Sequence, residues 1–146
     1  MPFISLTRLR LRSLRFLPFF AFHALKTTSQ VRHAPGFQTG ALLPDRSFTF
    51  WTMTAWDSQE DMRRYMTSGS HKTVMPRLMH WCDEASVAHW TQPEPALPTW
   101  EEADLRMRAS GRASKVRNPS PHHESLTYRA PRTTGAGPIT KAKPSA

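Results

Sequence analysis

One cysteine, Cys82, stands in 146 residues, so no disulfide can form within the chain and a cross-linked secreted scaffold is excluded. Glycine is scarce too, six in all. None of the six builds a nucleotide-binding fingerprint or a phosphate loop, which leaves dinucleotide and phosphoryl-transfer chemistry without support. A serine-hydrolase elbow, a clustered Cys/His zinc set and a spaced carboxylate pair for glycoside cleavage are missing as well. No apolar run spans a bilayer. Phe16 to Phe22 follows Arg8, Arg10, Arg12 and Arg15 as a targeting signal would, but it is about half of a membrane span. His23 and Lys26 end it, and no small-residue cleavage site follows. The expectation is a cytoplasmic protein without integral membrane association, with peripheral membrane contact as the lesser alternative.

Acid is missing from residues 1–43, which hold six Lys or Arg. Residues 44–110 carry seven bases against ten acids, and residues 111–146 seven against one. The net charge of +9 therefore sits at the two ends of the chain. Such ends attract phosphate. No zinc-finger spacing, single-strand-binding motif or recognition helix accompanies them, so nucleic acid is not the expected partner.

What the chain does have is Phe48-Thr49-Phe50-Trp51-Thr52-Met53-Thr54-Ala55-Trp56, a strand with large apolar groups on both faces. Around it the pattern predicts a strand over 3–12, a helix from 14 or 16 to 31 or 32, and a strand over 37–43. A hairpin link at 44–47 leads into the strand at 48–56. Asp57 with Glu60 resembles a capping box for a helix to about Thr67, and Ser70 caps a second helix over 71–82. A strand over 84–90 follows. This order gives an α+β fold, a ferredoxin-like sandwich whose helices cover one face of an antiparallel sheet. The other face then needs a second cover, which two sheets facing one another in a homodimer would supply; a packed monomeric core is the rival. The domain spans 1–92. A proline-containing extension with a short helix near 100–109 occupies 93–118, and a basic tail with little fixed structure occupies 119–146.

Four stretches carry a family resemblance: residues 48–56, Met66-Thr67-Ser68-Gly69-Ser70-His71, Met75-Pro76, and Trp81 through Trp90. Together they resemble the dimeric α+β barrel superfamily, and within it bacterial proteins related to spheroidene monooxygenase and, more distantly, antibiotic-biosynthesis monooxygenases. The resemblance implies a homodimer whose sheets form a shared barrel. It also implies oxygen-dependent chemistry on a small or medium apolar substrate, with haem in some relatives and no cofactor in others. The alternative is a non-catalytic homodimeric small-molecule-binding or scaffold protein.

His71 is the first candidate residue. At a helix start the ring stays neutral, which suits proton transfer or ligation of haem iron. His89 is a second candidate for acid–base work. A haem site would draw on His71 as the metal ligand with Arg10, Trp51 and Met75. A substrate site would draw on Trp51, Met53, Trp56, Met75, Leu78 and Trp90. Pattern alone leaves open which face of strand 48–56 meets the helices.

Overall fold

Alternating side chains send Phe3, Ser5, Thr7 and Leu9 to one side of the first strand and Ile4, Leu6, Arg8 and Arg10 to the other. A computed structural model describes residues 1–143. In it this strand, β1 (Phe3–Leu11), lies near the centre of a sheet. A single 3-10 turn, Leu14–Phe16, leads into α1 (Leu17–Arg32), where Pro18 falls in the first turn and its missing N–H costs nothing. The chain reverses at Gly36, whose φ of +83° suits glycine; a Cβ there would also strike Asp61. Strands β2 (Phe37–Asp45) and β3 (Thr49–Trp56) form a hairpin.

Two short helices follow, α2 (Gln59–Met66) and α3 (Gly69–Trp81). The cap of α2 is Ser58 rather than Asp57: the Ser58 hydroxyl accepts the Asp61 amide at 3.2 Å, while Asp57 accepts from Gln38 at 2.8 Å. The start of α3 is held from another helix. Gln30 of α1 accepts the His71 amide at 2.9 Å and donates to the Ser68 carbonyl at 2.9 Å. β4 (Cys82–Thr91) completes the four main strands, and α4 (Trp100–Ser110) returns across the sheet. Short strands β5 (Arg112–Ala113) and β6 (Gly137–Thr140) sit at the two edges.

The six strands form one open antiparallel sheet in the order β5-β4-β1-β3-β2-β6. This overturns the expected dimeric α+β barrel, because the sheet does not close and its edges carry β5 and β6. The physical reason lies in the second face. Ile4, Leu6, Trp51, Met53, Ala88 and Trp90 pack there against Trp100, Ala103 and Met107 of α4 from the same chain. The apolar surplus of β3 is thus buried within the chain and needs no second sheet. On the first face, Phe3, Val31, Phe37, Trp56 and Met62 form one cluster beneath α1 and α2. Leu11, Phe16, Phe20, Val74 and Trp81 form another beneath α1 and α3.

The segment expected to lack fixed structure is anchored at several points over its described residues, 119–143. Ser120 donates to Glu84 at 2.7 Å, the Tyr128 ring meets Trp51 edge-on at 5.6 Å, and β6 pairs with β2. Among the described residues no helix is long and apolar enough to cross a membrane.

Candidate functional site

Between the first sheet face and α1, α2 and α3 lies a cavity of about 220 Å³. It exists because the floor residues are small. Ser5 lies opposite Thr54 and Thr7 opposite Thr52 in the β1–β3 register, so four hydroxyls share one patch of the sheet. The larger Trp56, Leu9 and Phe20 line the cavity as well. The helices add mostly apolar walls, including Val31, Met62, Val74, Met75 and Leu78. No Asp or Glu lines the cavity; its ionisable groups are His23, Tyr65, His71 and Lys115.

His71 is the most chemically specific of these. Its Nδ1 lies 3.1 Å from the Met66 carbonyl. A carbonyl oxygen only accepts, so Nδ1 carries the proton and Nε2 holds the free lone pair of the neutral ring. Burial lowers the pKa of His71, against a smaller opposing effect of the Met66 carbonyl, and keeps the ring neutral near pH 7. The ring also contacts Tyr65, with centroids 4.8 Å apart. Burial holds the Tyr65 phenol well above its ordinary range, so it stays protonated, and it donates to the Thr27 carbonyl at 3.3 Å. The cavity therefore offers one desolvated base, one protonated phenol and a patch of hydroxyls inside an apolar wall.

The sheet divides the residues named from the sequence. His71, Trp56, Met75 and Leu78 line the cavity. Trp51, Met53 and Trp90 lie across the sheet in the α4 core. Arg10 is also on that face, with Nη1 donating to Glu84 at 2.9 Å. His89 projects from β4 toward the helix side but does not line the cavity; it packs on Phe3 with ring centroids 5.4 Å apart. Its Nε2 is buried without a partner among the described residues, and burial lowers its pKa, aided by Arg112 and Arg63. Cys82 is buried, its thiol pushed up to about 12 by burial and by Asp83, which disfavours the thiolate.

The sequence reading missed the hydroxyl patch, Tyr65 and the Gln30 cap. Its available signal was the repetition of small polar residues on matching faces of two strands, Ser5 and Thr7 with Thr52 and Thr54. Aromatic residues drew attention to the opposite face, where they pack.

The residues named for haem do not fit that group together. His71 and Met75 face the cavity, whereas Arg10 and Trp51 sit beyond the sheet and cannot reach the same plate. Among the described residues no group of three or more His, Cys, Asp or Glu is arranged to hold a metal ion.

A family model described as "Domain of unknown function (DUF3291)" matches residues 24–135. No curated protein matches the chain. Among solved structures, SnoaB, a cofactor-independent oxygenase from Streptomyces nogalater, is similar with a TM-score of 0.54 and 16% identity, over 66% of this chain and 97% of that one. A putative antibiotic biosynthesis monooxygenase from Nitrosomonas europaea has a TM-score of 0.56 and 13% identity, over 66% and 94%. A conserved protein from Methanosarcina mazei Go1 has a TM-score of 0.57 and 9% identity, over 63% and 93%. At these identities the likeness is one of fold.

Proposed function

The chain belongs to the family described as domain of unknown function (DUF3291), and from that starting point we propose that it is a monooxygenase-like oxidoreductase acting without haem on a small or medium apolar substrate. One observation carries the reading: a neutral, desolvated His71 whose Nε2 is unprotonated lines an apolar cavity floored by hydroxyls. The fold shared with a protein described as a cofactor-independent oxygenase supports it.

In this reading His71 takes a proton from an activated methylene beside a carbonyl or an electron-rich ring. The hydroxyls of Ser5, Thr7, Thr52 and Thr54 stabilise the oxygen on which the negative charge settles. The delocalised anion gives its electrons to dioxygen. One oxygen atom ends in a new carbonyl, and the other leaves as water with the two methylene hydrogens, so no external reductant is consumed.

The test is oxygen uptake with an aromatic ketone bearing an acidic ring methylene, together with mass analysis of product formed under labelled dioxygen. Wild-type protein should exceed autoxidation, and His71→Ala should lower the rate by about 10²–10⁴. Thr54→Phe, which fills the floor, should abolish binding. Saturable binding with no uptake above autoxidation would instead favour a non-catalytic small-molecule binder. One feature favours that second reading: His71 also ties Met66 and Gln30 to the start of α3, a structural task by itself.

A further inference from the structure

We propose that the outward surface of α1 and α3 docks in the plane of an anionic lipid bilayer. The inner side of α1 faces the cavity through Phe20, Ala24 and Thr27. The outer side is apolar as well: Phe19, Phe22 and Leu25 are 59%, 58% and 73% exposed, and Leu14 in the turn before the helix is 58% exposed. Positions 19, 22 and 25 recur at helical spacing and form one stripe. The first half of α1 is thus apolar on both sides, and although the Phe19 ring stacks on Trp81 of α3 with centroids 6.4 Å apart, the described residues leave more than half of each side chain of the stripe exposed.

Charge indicates the occupant. Residues 1–43 contain no acid, and neither does α3, Gly69–Trp81. The exposed cations Lys26 on α1, Lys72 and Arg77 on the neighbouring α3, and Arg15 in the turn before α1 therefore lie on segments without an acidic residue. Lys26 stands 5.3 Å over the Phe22 ring, so apolar and cationic groups are interleaved. Phe and Leu on one surface with Lys and Arg among them suit insertion to the depth of the headgroups, with the charges meeting anionic lipid. A second copy suits the surface less well, since two-fold pairing would bring Arg15, Lys26, Lys72 and Arg77 toward their own equivalents. No described helix spans a bilayer, so the contact is peripheral. Met75, 38% exposed, belongs to both this surface and the cavity wall, so a docked protein would present its cavity to molecules dissolved in lipid. The docking does not depend on the reaction proposed above.

The experiment is vesicle sedimentation of the full chain with phosphatidylcholine alone and with phosphatidylcholine mixed with phosphatidylglycerol. Binding to the anionic vesicles should exceed binding to neutral ones by at least about tenfold and weaken as salt is raised. The Phe19→Ser/Phe22→Ser variant should lose binding to both by a similar factor, with unchanged circular dichroism. Arg15→Gln/Lys26→Gln should lose mainly the anionic preference. Wild-type protein that stays in the supernatant with anionic vesicles would overturn the proposal. So would self-association by sedimentation velocity that the Phe19→Ser/Phe22→Ser change abolishes, which would assign the surface to a second copy.

Discussion

Buried on the α4 side of the sheet, Arg8 donates to Glu84 at 2.7 Å while its guanidinium lies 4.2 Å from the Tyr128 ring centroid and 5.9 Å from that of Trp51. Burial pushes the Glu84 carboxyl up, but Ser120, Arg8 and Arg10 outweigh it and hold the group below its ordinary value. Removing one partner strands a buried charge, so Arg8→Ala or Glu84→Ala should cost about 3–5 kcal/mol in urea unfolding. Glu84→Gln should cost less, since it leaves hydrogen-bonding capacity for Arg8. Histidines set the behaviour at milder pH. His71 and His89 have pKa values below the ordinary 6.5, with burial the first cause in each. The unfolded chain therefore binds more protons than the folded one below about pH 6.5, and stability falls as pH drops through that window. Thermal unfolding followed from pH 7.5 to 5.5 should show a falling Tm, and His71→Gln should flatten the slope. An unchanged slope in that variant would mean His71 is not desolvated as described.

At the scale of elements, α4 does the work that a second subunit was expected to do. Thr99 caps it through the Glu102 amide at 3.2 Å, and Asp104 accepts from Arg108 at 3.0 Å and from Tyr128 at 2.8 Å. Ala103 and Met107 are fully buried against the sheet. Met107→Ala should thus destabilise the fold by about 2–5 kcal/mol in chemical denaturation, as expected for a large-to-small change in a core. Leu105→Ala, on the exposed side of the same helix, should stay within about 0.5 kcal/mol of wild type. The helix itself was legible from Pro98-Thr99 followed by Glu101-Glu102. Its destination was not, because an eleven-residue helix with a modest apolar stripe carries no address. The same holds for the cap of α3: Ser68 and Ser70 both lie within three residues of His71, yet the side chain that binds there, Gln30, comes from 41 residues before His71.

For the whole molecule, covering both sheet faces within one chain predicts that residues 93–143 keep it from self-association. A chain ending at Gln92 would expose Ile4, Leu6, Trp51, Met53 and Trp90 on one face and leave the β2 edge without β6. It should scatter light and sediment as large species at concentrations where the intact chain does not. Equal behaviour of the two chains would show that α4 is dispensable as a cover. The sequence by itself determined the strands and helices, since alternation, capping residues and breakers act over a few neighbours. It also determined that β3 carries apolar groups on both faces, and it singled out His71. Tertiary structure alone decided which face of β3 meets α1, α2 and α3. Both faces are apolar enough for either role, so the choice rests on the joint fit of Thr52 and Thr54 with Ser5 and Thr7 around a cavity, and of Trp51 and Met53 against α4. It alone also decided that the second cover is a later part of the same chain. Burial of apolar area is non-directional, and a strand's pattern records that it must be covered without recording what covers it.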